Sequence, residues 1–387
     1  MSEAFDVRKS DKPFDQSRSL VAVIELSQGS WLVGGMVPGV QRRPLKKLPP
    51  EKEKLLALLL RWRDEALKAG HEIDRIAVAC ESGRDGFWLV RWLRAQGIEA
   101  YVIHAASVAV SREHRRAKTD RLDTEMLKRA FLGWLRGEIG HCSMVTIPSC
   151  EEEDAKRPSR ERETLVNERT RLINAMRADL ARLGIRDFNP KRRNAAKQLE
   201  SLRTAEGGLI PSNTLAKLLR DMERLRLVVA QIKAIEAARL ERLERSPQEE
   251  PHAMVALLAR VVGVGIETAD MLVHEVLSRQ LRDRRAVARY AGLTGSPDES
   301  GSKRREKGLA KAGNARVRRG MIQLAWRLLR FQKDSALVRW YRERTADCRG
   351  ATRKTMIVAL ARKLLIALWR LVKSGEVPEG FVLRPAL

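Results

Sequence analysis

Two short apolar runs constrain this chain more than any other feature. Leu20-Val21-Ala22-Val23-Ile24-Glu25-Leu26 reads as a buried strand that ends at a carboxylate. Ile73 to Cys80 is a second apolar strand, followed at once by another carboxylate, Glu81. Between and after them the period changes. Gln28-Gly29 makes a turn from which Trp31 to Val37 can return as a hairpin partner, and Pro38 to Pro50 forms a basic, proline-rich connector. Glu51 to Lys68 places Leu55, Leu56, Leu59 and Trp62 on one helical face, with Gly70 as its stop. Phe87 to Arg94 is a helix closed by Gly97, and Ala100 to Ile103 is a third short strand. Thr119 to Leu135 is a helix with an apolar stripe of Leu122, Met126, Leu127 and Ala130. Strands alternating with helices predict a mixed α/β domain over residues 19–140, after a flexible N-terminus at 1–18.

Beyond this domain the pattern becomes helical. Residues 141–163, charge-dense from Glu151 to Glu163, read as a linker. Leu218, Met222, Leu225, Val229 and Ile232 are spaced 4, 3, 4, 3, the a/d seam of a coiled coil. Residues 164–250 are therefore expected to form an antiparallel helical hairpin, a spacer or dimerisation arm. It is interrupted by a basic loop, Lys191, Arg192 and Arg193, and by Gly207-Gly208. Residues 251–387 read as a mainly α-helical domain, closed by a helix over 352–373. Within it, Val261-Val262-Gly263-Val264-Gly265 joins two helices in the manner of a helix-hairpin-helix. Gly263 and Gly265 would let backbone N–H groups approach a phosphate, although a plain tight connection between helices gives the same pattern.

Charge narrows the partners. The chain has 75 Lys+Arg against 49 Asp+Glu, a net +26. A surplus that large repels itself unless a polyanion neutralises it, so nucleic acid leads the candidate partners. Residues 301–330 hold ten Lys/Arg against one acid, Glu306. Lys303, Arg304, Arg305, Lys307, Lys311, Arg318 and Arg319 are candidate phosphate contacts there, with Arg112, Arg115 and Arg116 as a second basic cluster. The six histidines are scattered and none is placed as a base. No apolar run approaches the ~18–20 residues needed to span a bilayer, and the first residues lack a signal-peptide core. The four cysteines show no C-x-x-C spacing, which argues against structural zinc and fits reduced thiols in a cytoplasmic protein.

Glu25 and Glu81 at strand ends, with Asp120 and Asp123 at i, i+3 on one helix face, form the ligand set that a two-metal phosphoryl-transfer site requires. Hard carboxylate oxygens suit Mg²⁺, with Mn²⁺ as a substitute. Taken singly, each acid has a structural reading that outweighs the metal one, with Asp120 capping its helix and Glu81 facing solvent; Asp74 and Asp85 are the nearest decoys.

Several blocks together resemble a known family. Val21-Ala-Val-Ile-Glu25, Ala79-Cys-Glu81-Ser-Gly83 and Lys118-Thr-Asp120-Arg-Leu-Asp123 resemble the DEDD blocks of the bridge-RNA-guided bacterial insertion-sequence transposases. Asn167-Glu-Arg-Thr170 with Arg171, Leu172, Asn174 and Arg177, Val262 to Gly265, Tyr290-Ala-Gly-Leu-Thr294, Glu299-Ser300-Gly301, and Lys311 to Asn314 continuing through Arg318-Arg319 are similar to further blocks of that family. The resemblance spans about residues 20–330. It implies an RNase H-like, RuvC-like N-terminal domain and a C-terminal domain with a nucleophilic serine. It further implies a noncoding guide RNA, donor and target DNA, and action as a dimer or tetramer on DNA in the bacterial nucleoid. The family's first acid is usually Asp; Glu25 departs from it by one methylene. By residue type alone Ser296, Ser300 and Ser302 are equal candidates in a polar loop; the family motif picks Ser300.

The expected activity is DNA cleavage and rejoining through a covalent phosphoserine link, assisted by carboxylate-bound Mg²⁺. A RuvC-like junction-resolving nuclease that uses water is the alternative enzyme. A non-catalytic nucleic-acid-binding regulator is the alternative from another class.

Overall fold

The computed structural model describes residues 9–10, 12–83, 85–108, 120–300, 303–309, 312–346 and 350–385. The chain divides into two units, Met1–Ser149 and Cys150–Leu387.

The first unit is a five-stranded sheet with helices on both faces. In chain order its elements are β1 (Ser19–Leu26), β2 (Trp31–Met36), β3 (Leu45–Leu48), α1 (Lys52–Lys68), β4 (Arg75–Glu81), α2 (Gly86–Ala95), β5 (Glu99–Ile103) and α3 (Asp120–Leu135). The strand order is β3-β2-β1-β4-β5. β1, β2 and β3 form an antiparallel meander, whereas β4 and β5 join parallel to β1. This mixed sheet is compatible with an RNase H-like start. The expected strands and helices are present within a few residues. The connector at 38–50 adds β3, a short exposed edge strand with the two lysines Lys46 and Lys47, a composition that discourages edge-to-edge pairing.

The pleat sorts β1 and β4 between two cores. Leu20, Ala22, Ile24, Val78 and Cys80 pack with Leu55, Leu59 and Trp62 of α1 and Leu89 and Leu93 of α2. Val21, Val23, Ala77 and Ala79 pack with Leu127, Phe131 and Trp134 of α3. Burial on both faces is why these strands read as continuous apolar runs. Two adjacent glycines let both helix layers close on β2. A Cβ on Gly34 would lie 2.6 Å from Thr124 Cγ2, and one on Gly35 would lie 2.6 Å from the Trp62 ring. Gly35→Val is accordingly expected to destabilise the protein by about 1–3 kcal/mol through overpacking. Gly29→Val meets nothing within 4 Å and should be near neutral. Denaturant midpoints of the two variants check this; equal midpoints would remove the packing argument.

The second unit is largely helical. α4 (Cys150–Asp154) and α5 (Arg157–Arg182) occupy much of the segment read as a linker, so the unit boundary falls after Ser149. α6 (Ala195–Ser201) and α7 (Ser212–Arg245) follow. α5 and α7 run antiparallel: Lys217 meets Asp179 at 2.7 Å, while Arg162 meets Glu236 at 2.6 Å. Leu218, Met222, Leu225 and Ile232 of the expected seam are buried, but Val228 is buried in place of Val229, which is half-buried. A 3.6-residue turn drifts from a strict heptad, and Val228 takes the inward position.

α8 (His252–Ala259) and α9 (Ile266–Leu272) flank the glycine turn, and Val273–Leu277 continues as a π-helical turn. α10 (Arg284–Tyr290) leads to a two-stranded antiparallel ribbon, β6 (Gly295–Ser300) and β7 (Lys303–Leu309). The unit ends with α11 (Ala315–Phe331), α12 (Ala336–Thr345) and α13 (Gly350–Ser374). Val317, Met321, Leu324 and Leu328 of α11 pack with Leu360, Leu364 and Leu368 of α13 in its main core. The β6–β7 ribbon stands where a polar loop was expected in a mainly α-helical domain. Gly295 to Ser300 and Lys303 to Leu309 are too polar for a period of two to show as hydrophobic alternation.

Candidate active site

Three structural facts direct the predicted acids to one end of the sheet. Ile24 pairs in register with Cys80, so Glu25 and Glu81 follow side by side on adjacent parallel strands. Both continue the Val21-Val23 and Ala77-Ala79 series, the face covered by α3. α3 also runs the right way. Thr124 rests on Gly34, which pairs with Val23 near the end of β1, whereas the Trp134 carbonyl accepts from the Ser10 N–H, upstream of β1. Asp123 and Asp120, N-terminal to Thr124, therefore stand toward the strand ends that carry Glu25 and Glu81. Glu25, Glu81 and Asp123 are half-buried; Asp120 is the first residue of α3, and its side chain lies outside the described set.

The thiol of Cys80 reports the same electrostatics. Burial pushes it up to about 12, and the charges of Glu81 and Glu25 add to the shift. A thiol held protonated on the opposite face offers no soft ligand, so the donors present are hard oxygens, the type that Mg²⁺ or Mn²⁺ takes. Among the described residues no three acidic, His or Cys side chains are drawn together closely enough to hold a metal ion. Glu25, Glu81 and Asp123 suit a divalent cation by donor type and by shared face, but their described side chains are not gathered into a ligand cluster. The decoys separate: Asp74 is paired with Arg18 at 2.6 Å, and Asp85 accepts from the Trp88 indole at 3.3 Å.

In the second unit Ser300 is the last residue of β6, not part of a loop. It pairs in register with Lys303, Glu299 with Arg304, and Asp298 with Arg305; Lys307 also lies on β7. Ser296 is on the same strand. Ser302, Lys311, Arg112, Arg115 and Arg116 fall outside the described residues.

The ribbon leaves the helices through a tight crossing. Gly313 has φ +83°, and a Cβ there would lie 2.6 Å from the carbonyl oxygens of Arg289 and Tyr290. Only glycine adopts that conformation at such an approach without strain. Asn314 then caps α11: its Oδ1 accepts from the N–H groups of Arg316 and Val317, while its Nδ2 donates to Glu275 at 3.0 Å. Arg318 donates to the Ala312 carbonyl at 3.2 Å, and Arg319 pairs with Glu163 at 2.9 Å. These two arginines, expected to face phosphate, are thus partly engaged in holding the crossing. The other basic candidates differ. Lys191, Arg192 and Arg193 are exposed. Gly265 has open space around it, but a Cβ on Gly263 would lie 3.2 Å from Phe331 Cβ, and Gln332 ties down the Val262 carbonyl at 2.8 Å.

Sequence reasoning missed Glu275. It sits in the π-helical turn, 2% exposed, and accepts from Arg160 at 2.8 and 3.0 Å as well as from Asn314. Burial pushes its carboxyl up, but the hydrogen bonds and charge of Arg160, with Asn314 and Arg316, hold it below the usual glutamate value of 4.5. The one available signal was an acid inside the apolar run Val273-His-Glu-Val-Leu277. A depressed carboxylate stabilises the fold above its unfolded value, and that contribution is lost as pH falls through the folded value. Melting temperature should therefore drop below about pH 4.5, and Glu275→Ala, which removes the shared acceptor of Arg160 and Asn314, should cost about 1–3 kcal/mol at neutral pH. A Glu275→Ala midpoint equal to wild type at pH 7 would contradict this.

Residues 255–339 match the family described as Transposase IS116/IS110/IS902 family. Residues 41–185 match the DEDD transposase domain of the same group, a stretch that includes Glu81, Asp120 and Asp123 and begins after Glu25. A putative transposase of Sinorhizobium fredii, y4rJ, is 41% identical over 371 residues, 93% of each chain. A probable family 20 transposase of Pseudomonas aeruginosa is 28% identical over 59% of this chain and 66% of that protein. A second putative S. fredii transposase, y4qE, is 24% identical over 79% of this chain and 77% of its own length. The chain belongs to the IS116/IS110/IS902 family of insertion-sequence transposases. A domain of the DEDD type points to divalent-metal use. No helix among the described residues is long and apolar enough to cross a membrane.

Proposed function

We propose that this transposase cuts and rejoins DNA by serine-mediated phosphoryl transfer. The Ser300 hydroxyl attacks a backbone phosphorus, an Oγ–P bond forms as a P–O bond of the DNA breaks, and the leaving DNA oxygen takes up a proton. Attack by a hydroxyl of the second strand reverses the exchange and frees Ser300, so the number of phosphodiester links is conserved and no external energy is required. Glu25, Glu81, Asp120 and Asp123 are the residues that would hold Mg²⁺. The bound ion would neutralise charge developing on the phosphate oxygens. Lys303, Arg304, Arg305 and Lys307 add positive charge beside Ser300 along the ribbon.

The observation that supports this reading most is the pairing of Glu25 and Glu81 at the ends of parallel β1 and β4, on the face where α3 presents its first turn. A noncoding guide RNA supplies target choice, and the α5–α7 pair acts as a coiled-coil arm that joins protomers. Labelled DNA, incubated with metal and run on a denaturing gel before and after protease, tests the chemistry. A protease-sensitive, slow-migrating adduct is expected. Free cut ends without an adduct would favour water as nucleophile and overturn the serine reading; RNA-free preparations that retain target choice would overturn guidance.

A further inference from the structure

The last three helices form a groove that neither the carboxylate site nor the ribbon uses. Trp326 projects from α11, 49% exposed, the most exposed of the chain's eight tryptophans. Beside it, Leu329 and Tyr341 line an open groove of about 590 Å³, with Arg342 of α12 and Arg353 and Lys354 of α13 on its walls. Among the described residues that line it, none is acidic.

The groove is built rather than incidental. Tyr341 is buried, and its hydroxyl donates to the Arg353 carbonyl at 3.3 Å, which ties α12 to the start of α13. Arg342 donates one guanidinium N–H to the Lys333 carbonyl at 3.2 Å, and its side chain is otherwise exposed. On the amphipathic helix α11, whose buried face is Val317, Met321, Leu324, Ala325 and Leu328, a tryptophan next to that face has the option of turning inward; Trp326 stays out.

A flat indole face, an apolar floor and three cations, with no acid among the described lining residues, are complementary to one polymer chemistry. Bases supply aromatic faces and the backbone supplies regularly spaced negative charge. A duplex keeps its base faces stacked inside, so it can use the cations but not the indole. We propose that the Trp326 groove binds single-stranded DNA, with one unpaired base stacked on Trp326 and its flanking phosphates held by Arg342, Arg353 and Lys354. The proposal rests on the transposase reading only for DNA as the ligand. Strand exchange must at some stage hold an unpaired strand, and a stacking platform beside phosphate-binding cations does that without reading sequence.

The test is a fluorescence anisotropy titration of the full-length protein with a labelled thymidine 20-mer, the same 20-mer with abasic sites, a 20-base-pair duplex and a uridine 20-mer. Trp326→Ala is expected to weaken binding to the thymidine strand by about tenfold, while Trp326→Phe, which keeps an aromatic face, restores most of it. Wild type should bind the abasic strand more weakly, and Trp326→Ala should add no further loss there. Arg353→Gln with Lys354→Gln should lower the slope of log affinity against log salt by about 1.4 on single strands.

Three results would overturn the proposal. One is unchanged thymidine-strand affinity in Trp326→Ala. Another is an equal loss on the duplex. The third is a Trp326 effect confined to the uridine strand, or accompanied by a change in oligomeric state; these would assign the groove to RNA or to a second copy of the chain. The assay needs no catalysis, so it stands or falls separately from the role of Ser300.

Discussion

Ser300→Ala is expected to abolish both the covalent protein–DNA adduct and strand rejoining while leaving nucleic-acid affinity within about twofold. The substitution removes one oxygen and no charge, so the electrostatic part of binding, which dominates affinity for nucleic acid, is untouched. Loss of a nucleophile that forms a covalent intermediate costs about 10⁴-fold or more in rate, because the remaining groups have nothing to deliver. Ser296 lies on the same strand, four residues before Ser300, and Ser296→Ala should still form the adduct. Ser302→Ala should do likewise. Ser300→Cys can retain only a trace, since sulfur is a poor match for a hard cation at the phosphate. The measurement is the protease-sensitive band on a denaturing gel. Recombination by Ser300→Ala at the wild-type rate would falsify the serine mechanism and leave a metal-dependent nuclease.

The second large effect concerns the strand-end acids. Glu81→Gln and Asp123→Asn should each reduce strand cleavage by about 10²–10³-fold, the value of several kcal/mol of charge stabilisation at the transition state. Folding should be nearly unchanged, because both side chains are half-buried rather than enclosed in a core. Glu25 gives a graded series. Glu25→Asp keeps the charge but withdraws it by one methylene, so it should be less damaging than Glu25→Gln, which removes the charge. Asp74→Asn and Asp85→Asn are the controls. Asp74 is held by Arg18 at the surface and Asp85 by Trp88, and neither lies on the α3 face of β1 or β4. Metal affinity, read by titration of Mn²⁺ binding in the absence of DNA, should fall with cleavage. Full cleavage by Glu81→Gln in Mg²⁺ would remove the carboxylate site from the mechanism, whatever Ser300 does.

Much of the first unit was legible because its physics is local. Leu20 to Leu26 and Ile73 to Cys80 are apolar on both pleats because helices cover both faces, so the strands declared themselves, and the carboxylates at their ends stood out as breaks in the pattern. β3 was hidden, since Leu45 to Leu48 is an exposed edge with no apolar face to show. The α5 and α7 helices were visible from their stripes, but the strict heptad misplaced one core residue, Val228 for Val229. Heptad spacing is a property of a supercoil, and a single sequence does not state how far a helix is wound.

The sequence by itself determined the apolar strands and amphipathic helices, the surplus of 26 positive charges that selects a polyanionic partner, and which acids end the apolar strands. Tertiary structure decided what those features do together. Parallel pairing of β1 with β4 set Glu25 beside Glu81, and the direction of α3 brought Asp120 and Asp123 toward them, because register and crossover direction depend on contacts between residues more than fifty positions apart. The same holds in the second unit. Asn314 and Gly313 became the base of the Ser300 ribbon only when Glu275, thirty-nine positions earlier, was buried against Arg160. A buried charge is too costly to be inferred from local pattern, and only the fold shows the partners that make it tolerable.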